Sequence, residues 1–133
     1  MKILHLNVFR KWFDMVESGN KTEDYREIGT YWISRFIDFY CGRKIKTEKD
    51  RMIFIRDIKD NTERAISKIQ WKHFDTIKYQ NGFKRKNGDP APFIRFVFSG
   101  IKIDNGNPKL GYISGRKCFI IKLKKSLKGL EGN

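Results

Sequence analysis

A short stretch of mixed charge, SGNKTEDYREI at residues 18–28, brings together an ammonium, carboxylates and a guanidinium beside a glycine. Alternate side chains of a strand face opposite sides, so Asp24 and Arg26 are expected to share one face. Lys21 can join them because Gly19 frees the backbone of the turn before it. Arginine suits bidentate contact with phosphate, lysine supplies a point charge, and a carboxylate accepts from an amino group. The stretch therefore predicts a nucleotide cleft, with a solvated ion pair on a strand edge as the alternative.

Aromatic and amide side chains supply further candidates for contact with a base. Tyr25 and Tyr79 lie on predicted strands, where either ring could stack on a base. Asn81 could read a base edge through its amide, although an asparagine before glycine is also typical of a turn. His5 is expected to be buried in an apolar strand. His73 is more open and could act as a general base, but no partner for it is evident in the sequence.

The charge balance indicates a polyanionic partner. The chain has 133 residues, with 29 lysines and arginines against 15 acidic residues, which gives a net charge of +14. Such an excess favours nucleic acid, and a basic protein without this partner is the alternative. The basic residues are concentrated at 43–49, 84–86, 102–117 and 122–128. Several of these segments are predicted loops that could line a groove and contact phosphates.

The sequence argues against several other classes of protein. An apolar fraction of 39% with 14% aromatic residues excludes a disordered chain. Cys41 and Cys118 are far apart in the sequence and fit no metal-binding spacing, so two reduced thiols in a cytoplasmic protein are expected. We find no signal-peptide pattern and no apolar run of about eighteen residues that would span a membrane. Since no metal cluster, phosphate loop or Ser-His-Asp order can be assembled, neither a metal nor a cofactor is expected. The oligomeric state is left open.

The elements that would position the charged stretch come early in the chain. An apolar strand is predicted at 3–8, followed by a helix at 9–18 that ends at Gly19. A second strand is predicted at 21–28, and an apolar helix at 31–37. The charged stretch would thus lie between two helices.

The middle of the chain carries helix-capping signals. Thr47 and Asp50 predict a capping box at the start of a helix. Asn61 or Thr62 predicts the start of another helix, which is expected to bear Ile66 and Ile69, with Trp71 left open.

Three further strands are predicted towards the end of the chain, at 76–79, at 93–103 with a bulge at Gly100, and at 118–123. Strands outnumber helices there, and no steady alternation of strand and helix appears. We therefore predict an α+β fold built on a small, mostly antiparallel β-barrel with flanking helices.

The charged stretch also resembles the signature of a known family. GNKTEDYR fits the pattern Gly-x-Lys-x-x-acid-x-Arg of the ASCH domain family, which belongs to the PUA-like superfamily. The flanking segments, the central FDTIKYQNGF and the closing GRKCFIIKL also resemble small bacterial or phage ASCH proteins. The resemblance covers 1–37 and 73–124. We therefore expect one ASCH domain over 1–133, with an insertion at 38–72.

The resemblance implies a PUA-like barrel and a cleft formed by Gly19, Lys21, Asp24 and Arg26. It also implies binding of RNA or single-stranded nucleic acid, or of a modified nucleoside. The acidic position is usually glutamate in the family and is Asp24 here. In relatives that deacetylate acetylcytidine, a threonine at this position is the nucleophile. A carboxylate cannot replace that hydroxyl, so this activity is not expected here.

Three hypotheses for the function follow, and whether the protein is an enzyme stays open among them. The first is a nucleic-acid-binding module that holds a base or nucleotide in the cleft. The second is a metal-independent ribonuclease, in which Lys21 and Arg26 stabilise the charged transition state and either Asp24 or Glu23 takes the 2′-hydroxyl proton. The third is a phage-type protein that uses residues 38–72 to engage a host protein or a nucleotide signal.

Overall fold

The computed structural model describes residues 1–82, 87–89, 91–110 and 116–124. Within these ranges the chain forms the following strands and α-helices: β1 (Ile3–Val8), α1 (Arg10–Glu17), β2 (Glu23–Glu27), α2 (Thr30–Phe36), β3 (Ile37–Tyr40), β4 (Arg43–Lys44), α3 (Glu48–Asp60), α4 (Thr62–Ile66), β5 (Ile69–Trp71), β6 (Thr76–Asn81), β7 (Phe93–Val97), β8 (Ile101–Asn105) and β9 (Lys117–Lys122). A short 3-10 helix follows β8 at Pro108–Leu110.

The chain folds into two compact units. The first comprises Met1–Asp24, His73–Gly100 and the chain from Ile121 onward. Its sheet has the strand order β1-β6-β7. Strand β1 runs parallel to β6, and β6 runs antiparallel to β7.

The core of the first unit lies on one face of this sheet. Period-2 alternation buries Leu4 and Leu6 of β1, together with Ile77 of β6. Helix α1 adds Phe13 and Val16, which are spaced to lie on one face of the helix. The polar residues of the same strands are therefore left on the opposite face of the sheet.

The second unit comprises Tyr25–Lys72 and Ile101–Ile120. One of its sheets is antiparallel, with the order β4-β3-β5. Another sheet has the order β2-β9-β8. Most of the predicted insertion at 38–72 forms β3, β4, α3, α4 and β5 of this unit.

Aromatic contacts dominate the core of the second unit. The rings of Phe36 and Phe119 meet edge to face, with centroids 5.1 Å apart. Tyr40 of β3 packs edge-on against Phe54 of α3 at 4.9 Å, and its hydroxyl donates to a carboxylate oxygen of Asp57 at 2.8 Å. Burial, reinforced by this hydrogen bond, raises the pKa of Tyr40 well above its usual value. Tyr40 thereby ties β3 to α3.

The α+β class with mostly antiparallel pairing is confirmed, but no closed barrel is found among the described strands. Two predicted elements were wrong. The strand predicted at 93–103 is two strands, β7 and β8, in different sheets, and Gly100 between them has a φ of +112°. Ile69 was placed in a helix, but it begins β5 and lies opposite Tyr40 of β3.

Candidate functional site

The turn after α1 positions Lys21, the lysine of the charged stretch. Gly19 has a φ of +85°, a left-handed conformation that favours glycine, and its N–H donates to the carbonyl of Val16 at 3.1 Å. The N–H of Lys21 then donates to the carbonyl of Met15 at 3.0 Å. These bonds hold the backbone of Lys21 against the last turn of α1.

The side chain of Lys21 is buried against a tryptophan. Lys21 is 5% exposed, and its Nζ lies 4.4 Å from the centroid of the Trp12 ring. The Nζ of Lys11 lies 4.7 Å from the same centroid, but Lys11 is exposed. A cation–π contact strengthens when water is removed from it, so the buried Lys21 gains more from Trp12 than Lys11 does.

Asp24 is the buried carboxylate of β2. It is 3% exposed, whereas its neighbour Glu23 is half-buried and Glu27 at the end of the strand is exposed. Among the described residues, Lys21 and Asp24 are the only charged ones that are buried. Burying a charge is costly unless the surroundings compensate for it. Two such groups three residues apart therefore mark this turn and strand as a candidate site.

Arg26 lies two residues further along β2 and contacts another tryptophan. Its Cζ lies 4.7 Å from the centroid of Trp32, which stacks on Phe36 at 5.2 Å and meets Tyr31 edge-on at 4.9 Å. Arg26 and Tyr25 are both half-buried. The aromatic cluster of α2 thus supports the guanidinium of Arg26.

Each unit therefore contains one pair of a motif cation and a tryptophan: Lys21 with Trp12 in the first, and Arg26 with Trp32 in the second. The helical spacing of Trp12 and Trp32 among apolar neighbours is typical of core residues and gives no indication of these cation contacts. The half-burial of the two rings in the structure is consistent with both roles. The convergence of Lys21, Asp24 and Arg26 on one cleft stays a prediction.

Tyr79 is not available to stack on a base. It is completely buried, and its ring centroid lies 6.2 Å from that of Phe13 and 6.1 Å from that of Phe96. The prediction of a stacking role for Tyr79 was therefore wrong, because its face of β6 is the core face. His5 was expected to be buried, but it is exposed on the other face of its sheet.

Asn81 ends β6 in a half-buried position. Its N–H donates to the carbonyl of Pro92 at 2.9 Å, and Gly82 after it has a φ of +72°. This geometry fits an asparagine that leads into a turn. A contact between its amide and a base stays a prediction.

His73 has a carboxylate partner that sequence reasoning did not find. Its Nε2 lies 3.4 Å from Oδ1 of Asp75, and Oδ2 of Asp75 accepts from the backbone N–H of Lys2 at 2.7 Å. The N–H of Lys2, with a smaller contribution from His73, lowers the pKa of Asp75. The two residues lie in an irregular segment before β6, where no periodic pattern could indicate a pair. Both side chains are largely exposed.

A cavity of about 600 Å³ in the second unit is lined in part by further basic side chains. Its lining includes Lys59 of α3, Arg116, Lys117 of β9 and one carboxylate, Glu27. Lysine and arginine around an open cavity are suited to bind an anion such as a phosphate.

No group of three or more His, Cys, Asp or Glu side chains in the described part of the chain is placed to hold a metal ion. No helix within the described ranges is both long and apolar enough to cross a membrane.

A scan against protein-family models found no match for this chain, and searches of the curated proteins and of the solved structures found no similar protein either.

Proposed function

We propose that this protein binds nucleic acid, RNA in preference to DNA, and that it holds one base or nucleotide at Lys21 and Asp24. The observation that carries the proposal is the burial of this ammonium and this carboxylate in a chain with a net charge of +14. Water is largely excluded from both groups, so each discriminates between ligands more strongly than it would on an open surface. The preference for RNA comes from the resemblance of GNKTEDYR to the ASCH signature.

The chemistry of the two groups suits a nucleotide. The ammonium of Lys21 can contact a phosphate or a base oxygen, and the carboxylate of Asp24 can accept from an exocyclic amino group such as that of cytosine. Trp12, half-buried beside Lys21, attracts the ammonium group to this position through its ring. The resemblance adds Arg26, whose guanidinium can contact a phosphate through two parallel hydrogen bonds.

Fluorescence anisotropy with a labelled single-stranded RNA tests the proposal. Lys21→Met removes the ammonium but keeps a long apolar side chain, and it is expected to weaken binding at least tenfold. Lys11→Ala is the matched control, because Lys11 contacts the same ring from an exposed position. It is expected to bind nearly as well as the wild type, and melting temperatures show whether each variant is folded.

Besides undiminished binding by Lys21→Met, two further results would refute the proposal. One is RNA affinity that does not change between low and moderate salt, since phosphate contacts release counterions. The other is a folded double variant, Lys21→Met with Arg26→Ala, that binds RNA as tightly as the wild type.

A further inference from the structure

The sheet of the first unit has a polar face opposite its core. Alternation places His5 of β1, Lys78 of β6 and Arg95 of β7 on this face. His5 lies directly opposite Lys78, and Lys78 lies directly opposite Arg95. One row across three strands therefore consists entirely of basic side chains.

The next row on the same face consists of two amides and an aromatic ring. Asn7 lies opposite Gln80, and Gln80 lies opposite Phe93. Phe93 is 39% exposed, although phenylalanine is usually buried. The Nζ of Lys78 lies 4.5 Å from the centroid of this ring, and the Cζ of Arg95 lies 5.7 Å from it.

We propose that this face binds a single-stranded nucleic acid, with one base stacked on Phe93 and neighbouring phosphates held by Lys78 and Arg95. An aromatic ring flanked by cations is the arrangement that binds single strands, because every base has a π-face and every nucleotide carries a phosphate. Adjacent rows on one face are about 7 Å apart along the strands, so a ring and its cations can serve the base and the backbone of one nucleotide.

The charge of this sheet face indicates which class of ligand it binds. The neighbours of Phe93 on this face include two cations and an amide, Lys78, Arg95 and Gln80, which suit the phosphates and the polar base edges of a nucleic acid. The net charge of +14 complements a polyanion. This surface contains neither Lys21 nor Asp24. The inference rests on the proposed function only for the class of ligand, a nucleic acid.

Substitutions at Phe93 test the stacking contact with matched single-stranded RNA, single-stranded DNA and duplex probes. Phe93→Ala and Phe93→Leu are expected to weaken single-strand binding roughly tenfold, since the ring and not its apolar volume contacts the base. Phe93→Trp is expected to retain binding and to add tryptophan fluorescence that the bound strand quenches. Phe9→Ala is the matched control, because Phe9 is 81% exposed in the same unit but lies between β1 and α1.

The phosphate contacts of Lys78 and Arg95 are measured separately, by the salt dependence of binding. Log K falls as log salt rises, and each lost phosphate contact makes this negative slope shallower by about 0.7 for a single strand. Lys78→Gln with Arg95→Gln is therefore expected to make the slope shallower by about 1.4. Lys2→Gln, an exposed lysine of the same unit that precedes β1, is expected to leave it nearly unchanged.

The outcomes separate this inference from the proposed function. If the Phe93 variants bind like the wild type while Lys21→Met loses binding, the sheet face is refuted and the Lys21 site stands. If the Phe93 variants lose binding while Lys21→Met retains it, the sheet face is supported and the Lys21 site is refuted. If the wild type binds none of the probes, both are refuted.

Discussion

In the described part of the chain, several cations lie against aromatic rings that keep part of their surface exposed. Lys21 lies against Trp12, Arg26 against Trp32, and Lys78 against Phe93. A ring within about 6 Å of a cation attracts the charge without neutralising it. Such a cation is positioned by its ring and can still bind an anion.

Sequence alone predicted part of this residue-level picture. The glycine before Lys21 indicated the turn, because a left-handed residue at the end of a helix is most often glycine. The burial of Tyr79 could also have been predicted, since Thr76, Lys78 and Gln80 alternate with it as the polar face of the strand. The exposure of Phe93 could not, because FIRFVF places apolar residues on both faces of β7 and only pairing with β6 decides which face is covered.

Cys41 carries backbone strain that a substitution should relieve. It has a φ of +52° and is followed by Gly42 at +75°, in the two-residue loop that joins β3 to β4. Loops with two positive φ angles favour Asn-Gly, and a non-glycine residue there costs on the order of 1 kcal/mol. Cys41→Asn is therefore expected to raise the free energy of unfolding by about 0.5 kcal/mol, measured by urea denaturation. Cys41→Ala is the control, and an equal gain in both variants would contradict this explanation.

At the scale of elements, local signals were predicted well and pairing between distant segments was not. The capping box at Thr47 fixed the start of α3, because its hydrogen bonds involve only residues close in sequence. Ile69 has the spacing of a helical residue after Ile66, but α4 ends at Ile66 and Ile69 instead pairs with β3. That pairing depends on a strand some thirty residues earlier, which no local pattern indicates.

The capping box of α3 should have a measurable effect on stability. Oγ1 of Thr47 accepts from the N–H of Asp50 at 3.1 Å, and Oδ2 of Asp50 accepts from the N–H of Thr47 at 3.0 Å. Thr47→Ala is expected to lower the free energy of unfolding by about 1 kcal/mol, measured by urea denaturation at neutral pH. Thr47→Ser keeps the accepting oxygen and should lose much less. An equal loss in both variants would show that the hydroxyl does not stabilise the helix.

The carboxylate of Asp50 makes the stabilisation by this capping box depend on pH. The backbone N–H groups of Lys46 and Thr47 lower the pKa of Asp50 from its ordinary value of 3.8. A pKa that is lower in the folded state adds stability above the unfolded value, and this stability is lost as the pH falls through the folded value. The stability difference between the wild type and Asp50→Asn should therefore shrink below about pH 4. A constant stability difference down to pH 2 would contradict a lowered pKa of Asp50 in the folded state.

At the scale of the whole molecule, charge is the property that the sequence determines directly. The net charge of +14 does not depend on how the chain folds, and a field of this size acts beyond any single contact. Folding decides which cations are held in place. Lys21 and Arg26 are supported by tryptophans, whereas Lys102 and Lys122 are exposed on β8 and β9. In the proposed binding of RNA, the two groups of cations should therefore affect different steps.

If the protein binds RNA as proposed, charge reversal of the exposed lysines should slow association and leave dissociation nearly unchanged. Lys102→Glu with Lys122→Glu lowers the net charge from +14 to +10, because each reversal removes two charges. Stopped-flow measurements at low salt should show a several-fold lower association rate, since the field steers the encounter while the bound contacts are intact. The difference should disappear towards 1 M salt, where the screening length falls to about 3 Å. Lys102→Gln with Lys122→Gln is the control and should have about half the effect on the logarithm of the rate. If the reversals instead accelerate dissociation at every salt concentration, these lysines contact the RNA directly and are not part of the steering field.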